Sequence, residues 1–492
     1  MKCSELPVYS PESAGIPSKA VEAYLDSLTR RKFVQHSLLI MRHDKIVFEA
    51  YWKPFSADFR HRLYSCSKSF VSCAVGLLIE QGKLHLSDKA VSFFPDKAPK
   101  DVHPYLAMMT IRDLLMMATC YETGASYKPA DPDWEATFFT AKVDHVPGTV
   151  FSYCTTATTM LCMIVKRVTG KEFTEVLRPV FDELGISEDL YCVESPCGHE
   201  WGGSGVMATT REFAAFANLC MHYGKHNGKQ LLPEAYLREA TAKQIDNSLY
   251  QGHDDDGLGY GYQFWCGRNG SFAFYGMGGQ YAVCLPEQDL LVITTGYEEL
   301  KSASRHALFD GVYDLLVPAL SDAPLPEDKE TAERLAKKAA ALTLVTPDGE
   351  TASPVAALVS GKKYIMDEDN KMGLKWVRFD FEDGKGVWNW ENATGVHALP
   401  FTFGKTCETA FPETHYNGRR IGTPANRELT AFTSAAWMLP QSLMIFCHIS
   451  DISFGQFRVN VVFKDNYVTI HSQKHAEFFL EEYGGFASGK AE

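Results

Sequence analysis

The chain has no Cys-x-x-Cys pair among its thirteen cysteines, and the count itself is odd. Both facts disfavour a disulfide framework or a cysteine-ligated metal, and several cysteines (Cys73, Cys162, Cys220, Cys447) sit in apolar contexts that suit reduced core residues. A helical zinc-protease motif is missing as well, because His199-Glu200 is not followed by a second histidine at the required spacing. Basic runs are short and the formal net charge is -13, which argues against nucleic acid and against an anionic membrane surface as partners. No apolar run approaches bilayer-spanning length, and Met1 to Pro7 leads into polar sequence without a signal-like apolar core. The expectation is a cytoplasmic protein. There is no internal repeat, and no Gly-x-Ser-x-Gly elbow of an α/β-hydrolase, since Gly202-Gly203-Ser204-Gly205-Val206 breaks that pattern at its last position.

What is present is 492 residues, 45% of them hydrophobic, too many for one core and enough for two. Residues 37–42 and 45–50 read as two strands joined by His43-Asp44, and residues 67–81 as a largely buried helix stopped by Gly82. Helical patterns dominate from about residue 100 to 245, clearest over 111–117, 155–169, 210–223 and 233–242. Strands return at 272–275, 281–285 and 290–295, before a helix near 303–316. Strands at both ends with helices between them predict one sheet assembled from both termini beside an inserted helical lobe. The segment 321–344 is linker-like and then a charged, Ala-rich helix. It separates a first domain, 1–320, from a second, 345–492, whose short recurrent strands predict an antiparallel sandwich or barrel, a lipocalin-like barrel among the options.

Ser65-Cys66-Ser67-Lys68 opens the buried helix. A serine hydroxyl needs a neighbouring base, and residues three apart share a helical face, so an amine at Lys68 can meet the hydroxyl of Ser65. The helix start offers backbone N–H donors and the positive end of a dipole, which together with desolvation lowers a lysine pKa. The same spacing recurs at Ser360-Gly361-Lys362-Lys363, in a polar turn with no buried helix behind it; that copy is read as a turn. Tyr153, at the start of the 155–169 helix, is a second candidate for the base system, because a tyrosine near an ammonium can relay a proton.

Taken together, these residues resemble the class C β-lactamase family and its related esterases and peptidases over roughly residues 10–318. The resemblance is carried by Ser-Pro-Glu-Ser-Ala-Gly-Ile-Pro near the N-terminus and by Arg62-Leu63-Tyr64-Ser65-Cys66-Ser67-Lys68. It continues through Ile111 to Met117, the Tyr153 segment, Gly202 to Glu212 and Gly278-Gly279-Gln280-Tyr281, the last similar to the 6-aminohexanoate-dimer hydrolase and esterase branch. It implies an α+β fold of the β-lactamase/transpeptidase kind, with an antiparallel sheet flanked by helices and an inserted helical lobe. It also implies Ser65 as acylated nucleophile, Lys68 and Tyr153 as base, and backbone N–H groups of Ser65 and Met277 as oxyanion hole. Thr155, Tyr275, Gly276, Tyr121 and Trp134 would contact substrate.

Two departures from the family pattern bear on substrate. Tyr153-Cys154-Thr155 stands where Tyr-x-Asn is usual, and Phe274-Tyr275-Gly276 stands where a strand normally carries Lys-Thr-Gly or His-x-Gly. The basic residue that commonly helps to hold a β-lactam or peptide carboxylate is absent, so an uncharged small-molecule ester or amide is the expected substrate. No metal or other cofactor is called for, since nucleophile, base and oxyanion donors are all protein groups. A homo-oligomer is left open. The competing expectation is a non-catalytic ligand-binding or sensor protein on the same fold.

Overall fold

A turn of two left-handed residues, His43 (φ 53°) and Asp44 (φ 58°), joins β1 (Val34–Arg42) to β2 (Lys45–Tyr51), the twist that a tight hairpin needs. In the computed structural model, which describes residues 2–122, 133–195, 197–250, 254–297, 302–413, 428–476 and 480–492, this hairpin begins the main sheet of the first of two compact units, Met1–Thr343 and Leu344–Glu492. Four later strands complete it: β3 (Trp265–Cys266), β4 (Phe272–Gly276), β5 (Gln280–Leu285) and β6 (Leu290–Tyr297). The order is β2-β1-β6-β5-β4-β3, antiparallel throughout, with Val34 opposite Tyr297 and Arg42 opposite Leu290. The sheet is thus drawn from both ends of the unit, as the strand pattern predicts.

One α-helix precedes the strands of this sheet in the chain, and most of the others lie between its two groups of strands. The helices include α1 (Ser18–Arg30), α2 (Ser67–Glu80), α3 (Ile111–Leu115), α4 (Thr155–Thr169) and α5 (Thr210–Met221). Helix α2 is buried on nearly all sides, which its almost continuous apolar and small-residue run requires. Phe70 on α2 stacks on Phe216 of α5 with ring centroids 4.0 Å apart. Helix α2 stops at Gly82 (φ 67°) and α4 at Gly170 (φ 72°), left-handed positions that glycine takes without steric strain. Helix α6 (Lys329–Ala341), the charged segment, is part of the first unit: Arg334 pairs with both carboxylate oxygens of Glu22 on α1 at 2.8 Å, and Lys338 with Asp26 at 2.8 Å. Those partners hold the Glu22 carboxyl down at about 2, Arg334 foremost.

The second unit is one ten-stranded antiparallel sheet. Its strands are β7 (Lys363–Met366), β8 (Trp376–Glu382), β9 (Lys385–Asn392), β10 (Gly395–Thr402), β11 (Cys407–Phe411), β12 (Leu429–Leu439), β13 (Ser442–Ser450), β14 (Phe454–Lys464), β15 (Tyr467–Ala476) and β16 (Gly485–Ala491). They follow the order β10-β9-β8-β7-β16-β15-β14-β13-β12-β11, and a bridge between Phe403 and Ala435 brings the ends together into a nearly closed barrel. Of the two architectures expected, the barrel is therefore found. With ten strands it exceeds the eight of a lipocalin, and buried Trp388, Trp390, Trp437 and Phe463 pack its core. All thirteen cysteines are free, ten of them buried. Among the described residues no helix is long and apolar enough to cross a membrane.

Candidate active site

Ser65 sits in a single 3-10 turn, Tyr64–Cys66, that runs directly into α2. The turn is pinned from both sides: the Leu63 amide donates to the Val206 carbonyl at 2.8 Å, and the Val206 amide donates to Ser67 Oγ at 2.9 Å. Tyr64, fully buried beside the serine, takes a left-handed conformation at φ 48°. Such strain persists only where the surroundings impose it, and it is concentrated at functional sites.

Lys68, one turn into α2, is 1% exposed. Its Nζ lies 2.8 Å from Ser65 Oγ, donates to the Gly203 carbonyl at 2.5 Å and sits 5.2 Å from the centre of the Tyr153 ring. Burial draws the ammonium down from 10.5 to about 7, and the neighbouring Arg62 adds to this; the nearby Cys154, Cys66 and Cys162 work the other way. Burial thus favours the free-base form of an amine that touches a hydroxyl. The duplicate motif differs: Ser360 Oγ accepts from the Phe381 amide at 2.9 Å, beside Gly361 at φ 74°, and serves a turn in the second unit.

The glycine run shapes the far side of Lys68. A Cβ on Gly203 would meet Thr155 Cγ2 at 2.8 Å, and one on Gly202 would meet Cys162 Sγ at 2.3 Å, so the turn lies tight against α4. Arg62 holds this turn, donating from Nε to the Ser204 carbonyl at 2.8 Å and from Nη2 to Ser204 Oγ at 3.1 Å, while its guanidinium lies over the rings of Tyr64 and Trp201. Sequence reasoning did not single out Arg62. Its only signal was its place in the stretch around the serine.

The remaining predicted residues divide into two groups. Thr155, at the start of α4, is brought to Gly203 and hence to Lys68. Gly276 lies against the serine turn, where a Cβ would come within 2.3 Å of the Leu63 carbonyl oxygen and 3.1 Å of Cys66 Sγ. Met277 follows it in a turn completed by Gly278 (φ 81°) and Gly279 (φ 93°), with Gln280 Nε2 donating to the Met277 carbonyl at 2.9 Å. Tyr275 is 9% exposed and stacks on Trp265. Tyr121 and Trp134 are placed in the core instead: Tyr121 donates to the Phe138 carbonyl at 2.5 Å, and Trp134 packs edge-on against Trp201. Residues 131 and 132, before Trp134, lie outside the described residues.

Tyr153 also lines a cleft of about 540 Å³ with Glu122, Phe151, Asp246, Leu249 and Tyr250. None of the described residues lining it is basic. Among the described residues no cluster of three or more His, Cys, Asp or Glu could hold a metal ion.

Several known proteins are similar to this chain. The 6-aminohexanoate-dimer hydrolase of Paenarthrobacter ureafaciens is 22% identical over 303 residues, covering 56% of this chain and 76% of that protein. The octameric penicillin-binding protein homologue from Pyrococcus abyssi matches 96% of this chain and 99% of its own, with a TM-score of 0.50 at 15% identity. A family VIII carboxylesterase matches 63% of this chain and 99% of its own, with a TM-score of 0.47 at 16% identity. A model of the beta-lactamase family matches residues 19–296, more than half of the 492 residues and the whole of the region just described around Ser65. The chain belongs to the beta-lactamase family.

Proposed function

We propose that the protein is a serine acyl hydrolase acting on an uncharged ester or amide. Ser65 Oγ attacks the carbonyl carbon while neutral Lys68, with Tyr153, takes its proton. The backbone N–H groups of Ser65 and Met277 receive the oxyanion. The proton returns to the leaving alcohol or amine, and water, deprotonated by the same base, releases the acyl group. The observation that carries this reading is the 2.8 Å approach of Lys68 Nζ to Ser65 Oγ, made by an amine that burial keeps near neutrality. That no basic residue is found among the described residues lining the cleft supports a substrate lacking a carboxylate at that position.

Intact-mass measurement with a fluorophosphonate tests the chemistry. One adduct on the wild type, on the Ser65 peptide, and none on Ser65→Ala is expected; no adduct on the wild type would leave a binding protein. A chromogenic short-chain ester assayed beside a chromogenic cephalosporin is expected to turn over faster. Gly203→Ala is expected to slow acylation about tenfold, because the new methyl has to displace Thr155 or move the carbonyl that holds Lys68. A single-turnover rate beside a thermal melt would separate this loss from unfolding.

A further inference from the structure

Gln263 is 2% exposed and holds a left-handed backbone at φ 66°, a conformation that a side chain disfavours. Every polar group it has is spent on a helix around Lys68 and Tyr153. Its amide donates to the Leu115 carbonyl at 3.1 Å, and Nε2 donates to the carbonyls of Leu114 at 3.1 Å and Leu115 at 2.8 Å. These are the last carbonyls of α3; that of Leu114 also accepts from the Met117 amide at 3.3 Å. Oε1 accepts from Thr158 Oγ1 of α4 at 2.6 Å, and the main-chain carbonyl accepts from Ser69 Oγ of α2 at 2.7 Å.

Each bond leads to the reacting groups. Ser69 follows Lys68 directly, and one turn further on Ser72 Oγ donates to the carbonyl of Tyr262 at 2.7 Å. Thr158 lies one turn beyond Thr155. Past the end of α3, the Met117 carbonyl accepts from the Ser152 amide at 2.8 Å, and Met117 Sδ lies 3.3 Å from the Cys154 amide, so both neighbours of Tyr153 are held by one residue. We infer that Gln263 is the positioning residue that sets the separation of Lys68 from Tyr153, through its simultaneous bonds to α2, α3 and α4. The inference rests on the acyl-enzyme reading above. It explains why a glutamine occupies a conformation suited to glycine: a glycine would relieve the backbone and release all three side-chain bonds.

The experiment measures the rate of Ser65 phosphonylation by a fluorophosphonate against pH, on the full chain, for wild type, Gln263→Ala, Thr158→Val and Ser69→Ala. Lys68 is faced by Cys66 on its own turn, Cys154 and Cys162, Arg62, the Tyr153 ring and the Gly203 carbonyl. None of these is altered in the variants. Gln263→Ala is expected to react roughly 30-fold more slowly, with the pH midpoint moved upward as water reaches the amine. Thr158→Val and Ser69→Ala are expected to move rate and midpoint in the same direction by less. Should Gln263→Ala not fold, these two variants, each removing one bond, decide alone. Reactive wild type with all folded variants within about twofold in rate and with an unmoved midpoint would overturn the inference while leaving the acyl-enzyme reading intact. An unreactive wild type would overturn both.

Discussion

Lys68→Met is expected to slow acylation of Ser65 by about 10³-fold and to raise the melting temperature at neutral pH. The first effect is loss of the proposed base: methionine has nearly the length of lysine but cannot take the hydroxyl proton. The second follows from burial. In the unfolded chain Lys68 titrates at 10.5, in the folded one at about 7, so the unfolded state binds the extra proton between those values. The stability associated with this group is complete above the unfolded value and is lost as pH falls to the folded one. At pH 7 the native protein bears nearly all of that penalty, and replacing the amine removes it. The gain is about 2 kcal/mol or more after loss of the bonds to Ser65 and Gly203. Lys68→Arg separates the two effects, because a guanidinium stays charged; it is expected to be as inactive as the methionine variant and less stable than wild type. Fluorophosphonate labelling rates and thermal melts of the three proteins check both signs. Loss of activity with no gain in stability for Lys68→Met would mean that the amine is not held near neutrality.

Acidification to about pH 4.5 is expected to remove roughly 2.5 kcal/mol from the first unit through one histidine. His61 lies in a short strand beside Arg62 and is 4% exposed. Its Nε2 is 3.1 Å from Nδ1 of His36 on β1, whose ring stacks on Phe55 with centroids 3.9 Å apart. One imidazole donates to the other, and an added proton would place a positive charge on a buried ring. Burial holds His61 down at about 3 against 6.5 in the unfolded chain. Its contribution is therefore complete above 6.5 and is lost progressively as pH falls toward 3. His61→Gln keeps a polar partner for His36 without an ionisable ring. Its unfolding free energy is expected to change less between pH 7 and about 4.5 than that of the wild type. Urea melts at the two pH values measure the difference, and an equal fall in both proteins would remove His61 as its source.

The elements most legible in the sequence are those whose local signals agree. His43-Asp44 between alternating strands, Gly82 after the α2 run and Gly170 after α4 each put a residue suited to positive φ where the hydrophobic period ends. Two strands of the second unit are less legible because their composition conflicts with their state. β10 contains Pro400, tolerated because β10 ends the hydrogen-bonded order, and β16 is rich in Gly and small residues while pairing with both β7 and β15. Barrel and sandwich look alike in the sequence because closure depends on contacts such as the Phe403 to Ala435 bridge, which no local pattern records. The helix of residues 329–341 was visible, but its attachment to Glu22 and Asp26 was not, since surface ion pairs leave no periodic trace.

At the site, the four-residue spacing from Ser65 to Lys68 was determined by the sequence alone, because a helix places such residues on one face whatever surrounds them. The same spacing at Ser360 shows what spacing leaves undecided. Tertiary structure supplies the rest: the burial that brings Lys68 to about 7, the Gly203 carbonyl that holds its amine, and the turn around Gly276 that closes against Leu63. Tyr121 and Trp134, plausible contacts by position, fall into the core, while Arg62 and Gln263 gain their roles from partners as distant as Ser204 and Leu114. A base is a local pattern placed in a low dielectric, and only the packed chain sets that dielectric.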